Sequence, residues 1–85
     1  MSLTLRHGVS TATTDDGIVL LNEKSGRYWQ LNQSGSTTLR SLLDGNSPAQ
    51  AAQNLANTYG IPVAQAAADV DALLIALRTA TLVTP

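Results

Sequence analysis

The first third of the chain has the hydrophobic pattern of β-strands. Near its start, apolar or β-branched residues fall on odd positions with a loose period of two: Leu3, Leu5, Val9, Thr11 and Thr13. After the turn-forming sequence Asp15-Asp16-Gly17, the continuous apolar run Ile18–Leu21 predicts a strand buried on both faces. The polar link Asn22–Gly26 then predicts a hairpin, and the alternating segment Arg27–Leu31 predicts a third strand with one covered face.

The rest of the chain has helical spacing, with a start or stop signal at most helix ends. Asn32, Ser34 or Ser36 can cap a first helix that ends before Gly45, and its apolar positions are Leu39, Leu42 and Leu43. A capping box, Ser47 with Gln50 around Pro48, begins a second helix that Gly60 and Pro62 end; its apolar face is Ala52, Leu55, Ala56 and Tyr59.

A third helix is predicted from about Val63 to Thr79. Its core stripe is Val63, Ala66, Ala67, Val70, Leu73, Leu74 and Leu77. Leu82 and Val83 are candidates for folding back on that core. The element order β-β-β-α-α-α predicts an α+β fold that is winged-helix-turn-helix-like, with a three-stranded antiparallel sheet followed by three helices. Residues 1–85 are expected to form a single domain.

Composition narrows the possible chemistry. The chain of 85 residues has no Cys and one His, His7, which is expected to be an ordinary surface residue on a strand. Thiol nucleophiles, disulfides and sulfur-ligated metals are excluded, and Asp69 and Asp71 would point about 200° apart on a helix, so they cannot share a metal ion. We therefore expect no catalytic residue, no metal site and no cofactor, and a protein that is not an enzyme. No apolar run approaches a membrane span, which makes the cytoplasm the expected location.

The charges argue against nucleic acid as a partner. The net charge is −1, from 5 Lys and Arg and 6 Asp and Glu. A DNA-recognition helix needs cations for the phosphates, whereas the third helix offers only Arg78 and carries Asp69 and Asp71. A winged-helix DNA-binding regulator is therefore retained only as an alternative.

A peptide-binding function fits the third strand better. This strand is the last of its sheet, and an exposed edge is a liability unless a partner strand pairs with it. Trp29 and Leu31 share one face of the strand, and Tyr28 and Gln30 share the other. We expect Trp29 to turn into the domain and Tyr28 to line or flank a peptide groove. The alternative is that Trp29 fills the core and Tyr28 only shields it.

The third helix is unusually apolar behind its core stripe, where its residues include Ala64, Ala68, Ala72, Ile75, Ala76 and Ala80. Such spare apolar area beside a sheet edge is typical of the floor of a groove. It is also what a helix simply rich in Ala would show, because Ala favours helix formation.

Three segments resemble a known family: DGIVLLNEKSGRYWQLNQSG, LLDGNSPAQAAQNLANTYG and AAADVDALLIALRTATLV. The resemblance is to the PqqD-like RiPP recognition elements and, within them, to the stand-alone leader-peptide-binding proteins of lasso-peptide biosynthesis. It spans Asp16 to Val83 and depends on the Gly26-x-Tyr28-x-x-Leu31-Asn32-x-x-Gly35 pattern, on Asp44-Gly45 and on Asp69-Val70.

The resemblance implies a function and a site. Such proteins bind the leader region of a ribosomally made precursor peptide as an added strand beside the third strand and the third helix. They present it to a separate leader peptidase with a cysteine-protease-like site and to a lasso cyclase. Carried onto this sequence, the groove is formed by nine residues: Arg27, Tyr28, Trp29, Gln30, Leu31, Asp69, Val70, Leu73 and Ala76. A homodimerisation module that uses the same edge and helix is the second alternative.

Overall fold

The structure, a computed structural model, describes residues 3–84, and it is an α+β fold in which a three-stranded antiparallel sheet precedes three helices. In chain order the elements are β1 (Thr4–Leu5), β2 (Val9–Thr14), β3 (Gly17–Asn22), β4 (Tyr28–Leu31), α1 (Gln33–Leu43), α2 (Pro48–Tyr59), α3 (Val63–Thr79) and β5 (Val83–Thr84). The predicted fold class is confirmed. Among residues 3–84, no helix is long and apolar enough to cross a membrane.

The sheet has the strand order β2-β3-β4, and only one of its faces packs against the helices. In its register Leu20 lies opposite Trp29, and Leu21 lies opposite Tyr28. Leu20 is fully buried, whereas 37% of Leu21 is exposed. The prediction that β3 is buried on both faces is therefore wrong, because successive side chains alternate between the covered and the open face.

The helix boundaries follow the capping signals. The Asn32 side chain caps α1 by accepting a hydrogen bond from the Gly35 N–H at 2.8 Å. Ser47 and Gln50 form the complete capping box at the start of α2, and Gly60 ends that helix with φ of +64°. Ser47-Pro48 and Gly60 suit these places because Ser accepts from the unpaired N–H groups of the first turn and Gly adopts the left-handed conformation without strain.

The core lies between the inner face of the sheet and the three helices. Its fully buried residues include Leu20, Leu39, Leu42, Leu55 and Val70. The predicted apolar faces are correct in their centres and wrong at their borders. On α3, Val63 and Ala67 are exposed, and on α2, 43% of Tyr59 is exposed. Val63 and Tyr59 are the first residue of α3 and the last residue of α2, so they lie at helix ends beyond the core, and Ala67 lies at the side of its stripe.

The beginning of the chain forms two strands rather than one. His7 and Gly8 make a turn between β1 and β2, so the prediction of a strand at His7 is wrong. β1 leaves the main sheet and pairs antiparallel with β5, with Leu5 opposite Val83. Leu82 and Val83 are buried, which confirms that the tail folds back on the core.

Candidate functional site

Strand β4 lies at an edge of the three-stranded sheet. It pairs with β3 on one side, and within residues 3–84 no strand pairs with its other side. The segment is short and carries no charge, since its sequence is YWQL. An uncharged edge strand presents a row of main-chain donors and acceptors that another extended chain can use.

The main-chain groups that face outward belong to Tyr28 and Gln30. The N–H of Asn22 donates to the carbonyl of Arg27 at 2.8 Å, so these two residues form a hydrogen-bonded pair of the β3–β4 ladder. Hydrogen-bonded and non-hydrogen-bonded pairs alternate along an antiparallel ladder. Trp29 and Leu31 therefore direct their N–H and C=O groups toward β3, while those of Tyr28 and Gln30 point away from it.

The two aromatic side chains of β4 lie on opposite faces of the sheet. Trp29 is half-buried and packs against the core with Leu31. Tyr28 is 70% exposed, on the open face beside its cross-strand neighbour Leu21. The predicted assignment of Trp29 to the domain and Tyr28 to the outside is confirmed.

A hollow lies between one flank of α3 and the residues that follow β4. Asp69, Ala72 and Leu73 line it from the helix, with Leu55 from α2, and it also includes residues at the start of α1: Asn32, Ser34, Gly35 and Thr38. Ala76 is exposed and follows Leu73 and Asp69 at helical spacing on the same flank. The flank that bears Asp69, Leu73 and Ala76 is thus the one that faces the residues directly after β4.

Val70 is a correction to the predicted groove. Only 1% of its surface is exposed, and it belongs to the core cluster. One residue along a helix rotates the side chain by about 100°, which turns Val70 inward while Asp69 faces the hollow. Ala72 was counted among the spare apolar residues of α3 but was not one of the nine predicted groove residues. It lies three residues after Asp69 on the same flank, and that spacing was the available signal.

A second hollow lies at the start of β4, lined by Gly26, Arg27, Tyr28 and Trp29. Arg27 and Gln30 are exposed, so the strand offers polar side chains as well as a ring. Within residues 3–84, no three His, Asp or Glu side chains cluster in a way that could hold a metal ion. The surface around β4 therefore offers main-chain groups, one open aromatic ring and an apolar helix flank, which suit an extended peptide.

Comparison with protein families gives a match over most of this fold. The family described as coenzyme PQQ synthesis protein D (PqqD) matches residues 17–83, from the first residue of β3 to β5. The chain belongs to the PqqD family. Its predicted resemblance to PqqD-like proteins is confirmed.

Two solved structures are similar to this PqqD-family chain over nearly its full length. One is described as lasso peptide synthetase B1 complexed with the leader peptide; it is 40% identical with a TM-score of 0.93, and the match covers 100% of both chains. The other is described as TbiB1 in complex with the TbiA(beta) leader peptide; it is 26% identical with a TM-score of 0.85, and the match covers 98% of this chain and 94% of that one. Comparison with curated proteins gave no match.

Proposed function

We propose that this protein binds the leader region of a ribosomally synthesised lasso-peptide precursor and presents it to modifying enzymes. The observation that carries the proposal is the full-length similarity to a lasso peptide synthetase B1 that was solved with its leader peptide. The unpaired edge of β4, and the hollow that an α3 flank lines directly after it, support the proposal.

The leader binds as an added strand along β4. The N–H and C=O groups of Tyr28 and Gln30 form its main-chain hydrogen bonds, because they point away from β3. A four-residue strand can offer only these two residues to a partner, so main-chain pairing fixes the position of the leader without selecting its sequence.

Side chains of the leader provide the selection. Those that turn toward the helices enter the space between Leu31 on the strand and Leu73 on α3, with Asp69 and Ala76 on either side of Leu73 along the helix. Those that turn outward lie on the ring of Tyr28. In this arrangement Val70 supports the groove from beneath and makes no contact with the leader.

The chain is a binding protein in this proposal, and catalysis belongs to its partners. A separate leader peptidase with a cysteine-protease-like site and a lasso cyclase receive the leader from it. The absence of Cys from the sequence supports a peptidase nucleophile on another chain. Because the precursor is a ribosomal product, the proposed place of binding is the cytoplasm.

The test is a titration of the purified protein with the leader peptide of the 40% identical lasso peptide synthetase B1, next to a scrambled peptide of the same composition. We expect saturable binding of the leader at least about tenfold tighter than binding of the scrambled peptide, and an unchanged peptide mass after long incubation. Equal binding of both peptides would contradict the proposal, and cleavage by pure protein would show an enzyme. Mass measured in solution with and without peptide separates a complex with one leader from a homodimer.

A further inference from the structure

The charged residues around the three-stranded sheet lie at its two opposite ends, one acidic and one mainly basic. The strands themselves, VSTATT, GIVLLN and YWQL, contain none. The turn between β2 and β3 holds Asp15 and Asp16. The opposite end of the sheet holds three cations and one carboxylate: Arg6, Lys24, Arg27 and Glu23. The loop after β3 lies against the turn before β2 there, because the Glu23 N–H donates to the Gly8 carbonyl at 2.8 Å and the Lys24 side chain packs over Gly8.

The acidic end adjoins the last residue of the leader-binding edge. Asp15 and Asp16 line a hollow with Asn32 and Gln33, and the Gln33 side-chain amide donates to the Asp15 carbonyl at 2.8 Å. Asp69 lines the neighbouring hollow, which also includes Asn32. Three carboxylates from two separate elements therefore surround the point where β4 ends.

The basic end adjoins the first residue of the same edge. Arg27 directly precedes Tyr28 and lines the hollow at the start of β4. Lys24 lies in the loop that leads into it. The distance from Arg27 to Asn32 along an extended strand is about 17 Å at ~3.3 Å per residue. This exceeds the screening length of about 8 Å at physiological ionic strength, so each end acts only on the part of the peptide next to it.

From this separation we propose that the protein selects leaders by the order of their charges: Lys or Arg just before the docked segment, and Asp or Glu just after it. The proposal rests on the proposed leader-binding function. An added strand antiparallel to β4, which is the more stable arrangement per residue, places its amino-terminal side at Asn32 and its carboxyl-terminal side at Arg27. The amino-terminal cations then lie near Asp15, Asp16 and Asp69. The carboxyl-terminal carboxylates lie near Arg27, with Lys24 farther away where its side chain packs over Gly8.

The charge order gives direction as well as selectivity. The main-chain groups of Tyr28 and Gln30 can pair with a strand that runs either way. A leader with the stated order gains attraction at both ends when it docks antiparallel, and it meets like charges at both ends when it docks parallel. The same protein surface thus rejects reversed docking of a correct leader and rejects a peptide of the same composition in which the charges are exchanged.

The experiment begins with selection of 12-residue peptides from a random display library on the full chain. A selected peptide is then synthesised in two versions with identical composition, one as selected and one with its terminal cations and carboxylates exchanged. At ~50 mM salt we expect the version with amino-terminal cations to bind about tenfold more tightly. We expect the ratio to fall below about threefold at ~500 mM salt.

Two charge-neutralising variants locate the effect. Asp15→Asn/Asp16→Asn/Asp69→Asn and Lys24→Gln/Arg27→Gln should each reduce the ratio toward about threefold. The control Asp44→Asn/Asp71→Asn, which removes two carboxylates that line neither hollow, should keep it near tenfold.

The outcomes separate this inference from the proposed function. A ratio near one in the unmodified protein, with the leader peptide of the 40% identical protein still bound, would reject charge selection and leave leader binding intact. A preference for amino-terminal carboxylates would overturn the stated order and indicate parallel docking. If neither selected peptides nor that leader bind, both the proposed function and this inference are wrong.

Discussion

The backbone N–H of Ile18 donates a hydrogen bond of 2.7 Å to the hydroxyl oxygen of Ser36, and so ties the first turn of α1 to strand β3. The Ser36 hydroxyl in turn donates to the Asn32 carbonyl at 2.8 Å. Ser36 is 1% exposed, so water cannot replace it. This side chain fixes the angle at which β4 passes into α1, and hence the position of the edge strand relative to the helices.

Ser36→Ala should therefore be costly. It leaves the buried Ile18 N–H without an acceptor, for which we expect a loss of about 1–3 kcal/mol in the free energy of unfolding. Ser34→Ala is the matched control, since it makes the same change on the same helix at an exposed hydrogen bond, and it should change stability by less than about 0.5 kcal/mol. Thermal and denaturant unfolding measure both, and equal losses would contradict the importance of the Ile18–Ser36 bond.

Gly17→Ala should destabilise far more than Gly26→Ala. Gly17 has φ of +141°, and a Cβ there would clash with the Leu31 carbonyl oxygen and lie 2.6 Å from the Ser36 Oγ. We expect a loss of about 2–5 kcal/mol from strain and overpacking. Gly26 has φ of +73° with open space around it, so Ala there should cost only about 1–2 kcal/mol. Similar unfolding midpoints for the two variants would show that β3 and α1 are less closely packed than described.

Much of this fold could be read from the sequence because its helix ends carry local signals. Asn32 and Ser47 cap their helices with side-chain oxygens, and Gly60 ends its helix with a positive φ, as their positions in the sequence predicted. The pairing of β1 with β5 was missed because it joins the two ends of the chain, and no local pattern reports a contact at that separation. The open face of the sheet was missed because a short apolar run does not reveal whether a second layer covers it, so Leu21 was expected inside.

The candidate site was also predictable in outline, because the local periodicity of a strand tells which face each side chain occupies. The period of two along β4 assigned Trp29 and Tyr28 to opposite faces correctly. Periodicity on α3 placed Val70 in the core stripe correctly. Its place in the predicted groove came from the family resemblance, which does not distinguish residues that line a peptide from residues buried beneath them. Which main-chain groups of β4 are free depends on the β3–β4 register, which only the structure supplies.

Tyr28→Ala and Trp29→Ala should separate binding from stability. Trp29 packs on the core and is half-buried, so its truncation should cost about 3 kcal/mol of unfolding free energy, the low end for a large aromatic residue. Tyr28 is exposed, and its truncation should cost less than about 0.5 kcal/mol of stability but about 1–2 kcal/mol of leader affinity. Paired thermal unfolding and leader titration give both quantities. If neither variant alters leader affinity, the aromatic pair is only structural.

Gln30→Pro should weaken leader binding while the protein stays folded. Pro removes an N–H that points away from β3, so the β3–β4 ladder keeps its hydrogen bonds. We expect affinity for the leader to fall about tenfold, or ~1.4 kcal/mol. Gln30→Ala removes the side chain alone and should bind almost normally.

Trp29→Pro supplies the contrast, because it removes an N–H that faces β3 and should unfold the hairpin in far-UV circular dichroism. A folded Gln30→Pro variant that binds the leader normally would rule out this edge as the binding strand.

Leader affinity should depend only weakly on salt. The protein is nearly neutral, and we expect apolar contacts and main-chain hydrogen bonds to dominate, with the terminal charges adding a smaller increment. Raising salt from ~50 to ~500 mM shortens the screening length severalfold, and affinity should change by less than about tenfold. Isothermal titration across this range measures it. A fall of several decades would show that charge, and not apolar and main-chain contacts, dominates leader binding.

The pairing of β1 with β5 makes the fold a candidate for insertion into another protein. Thr4 lies opposite Thr84, and their hydroxyl groups are hydrogen bonded, so both junctions of an inserted copy would leave from one place, about 5 Å apart. Two junctions this close together are what a host loop can accept without being pulled open. Because β1 and β5 form a sheet separate from β2-β3-β4, such a graft keeps β4 at its edge. A surface loop of an unrelated enzyme could thereby acquire a peptide-binding strand through two junctions that lie side by side in space.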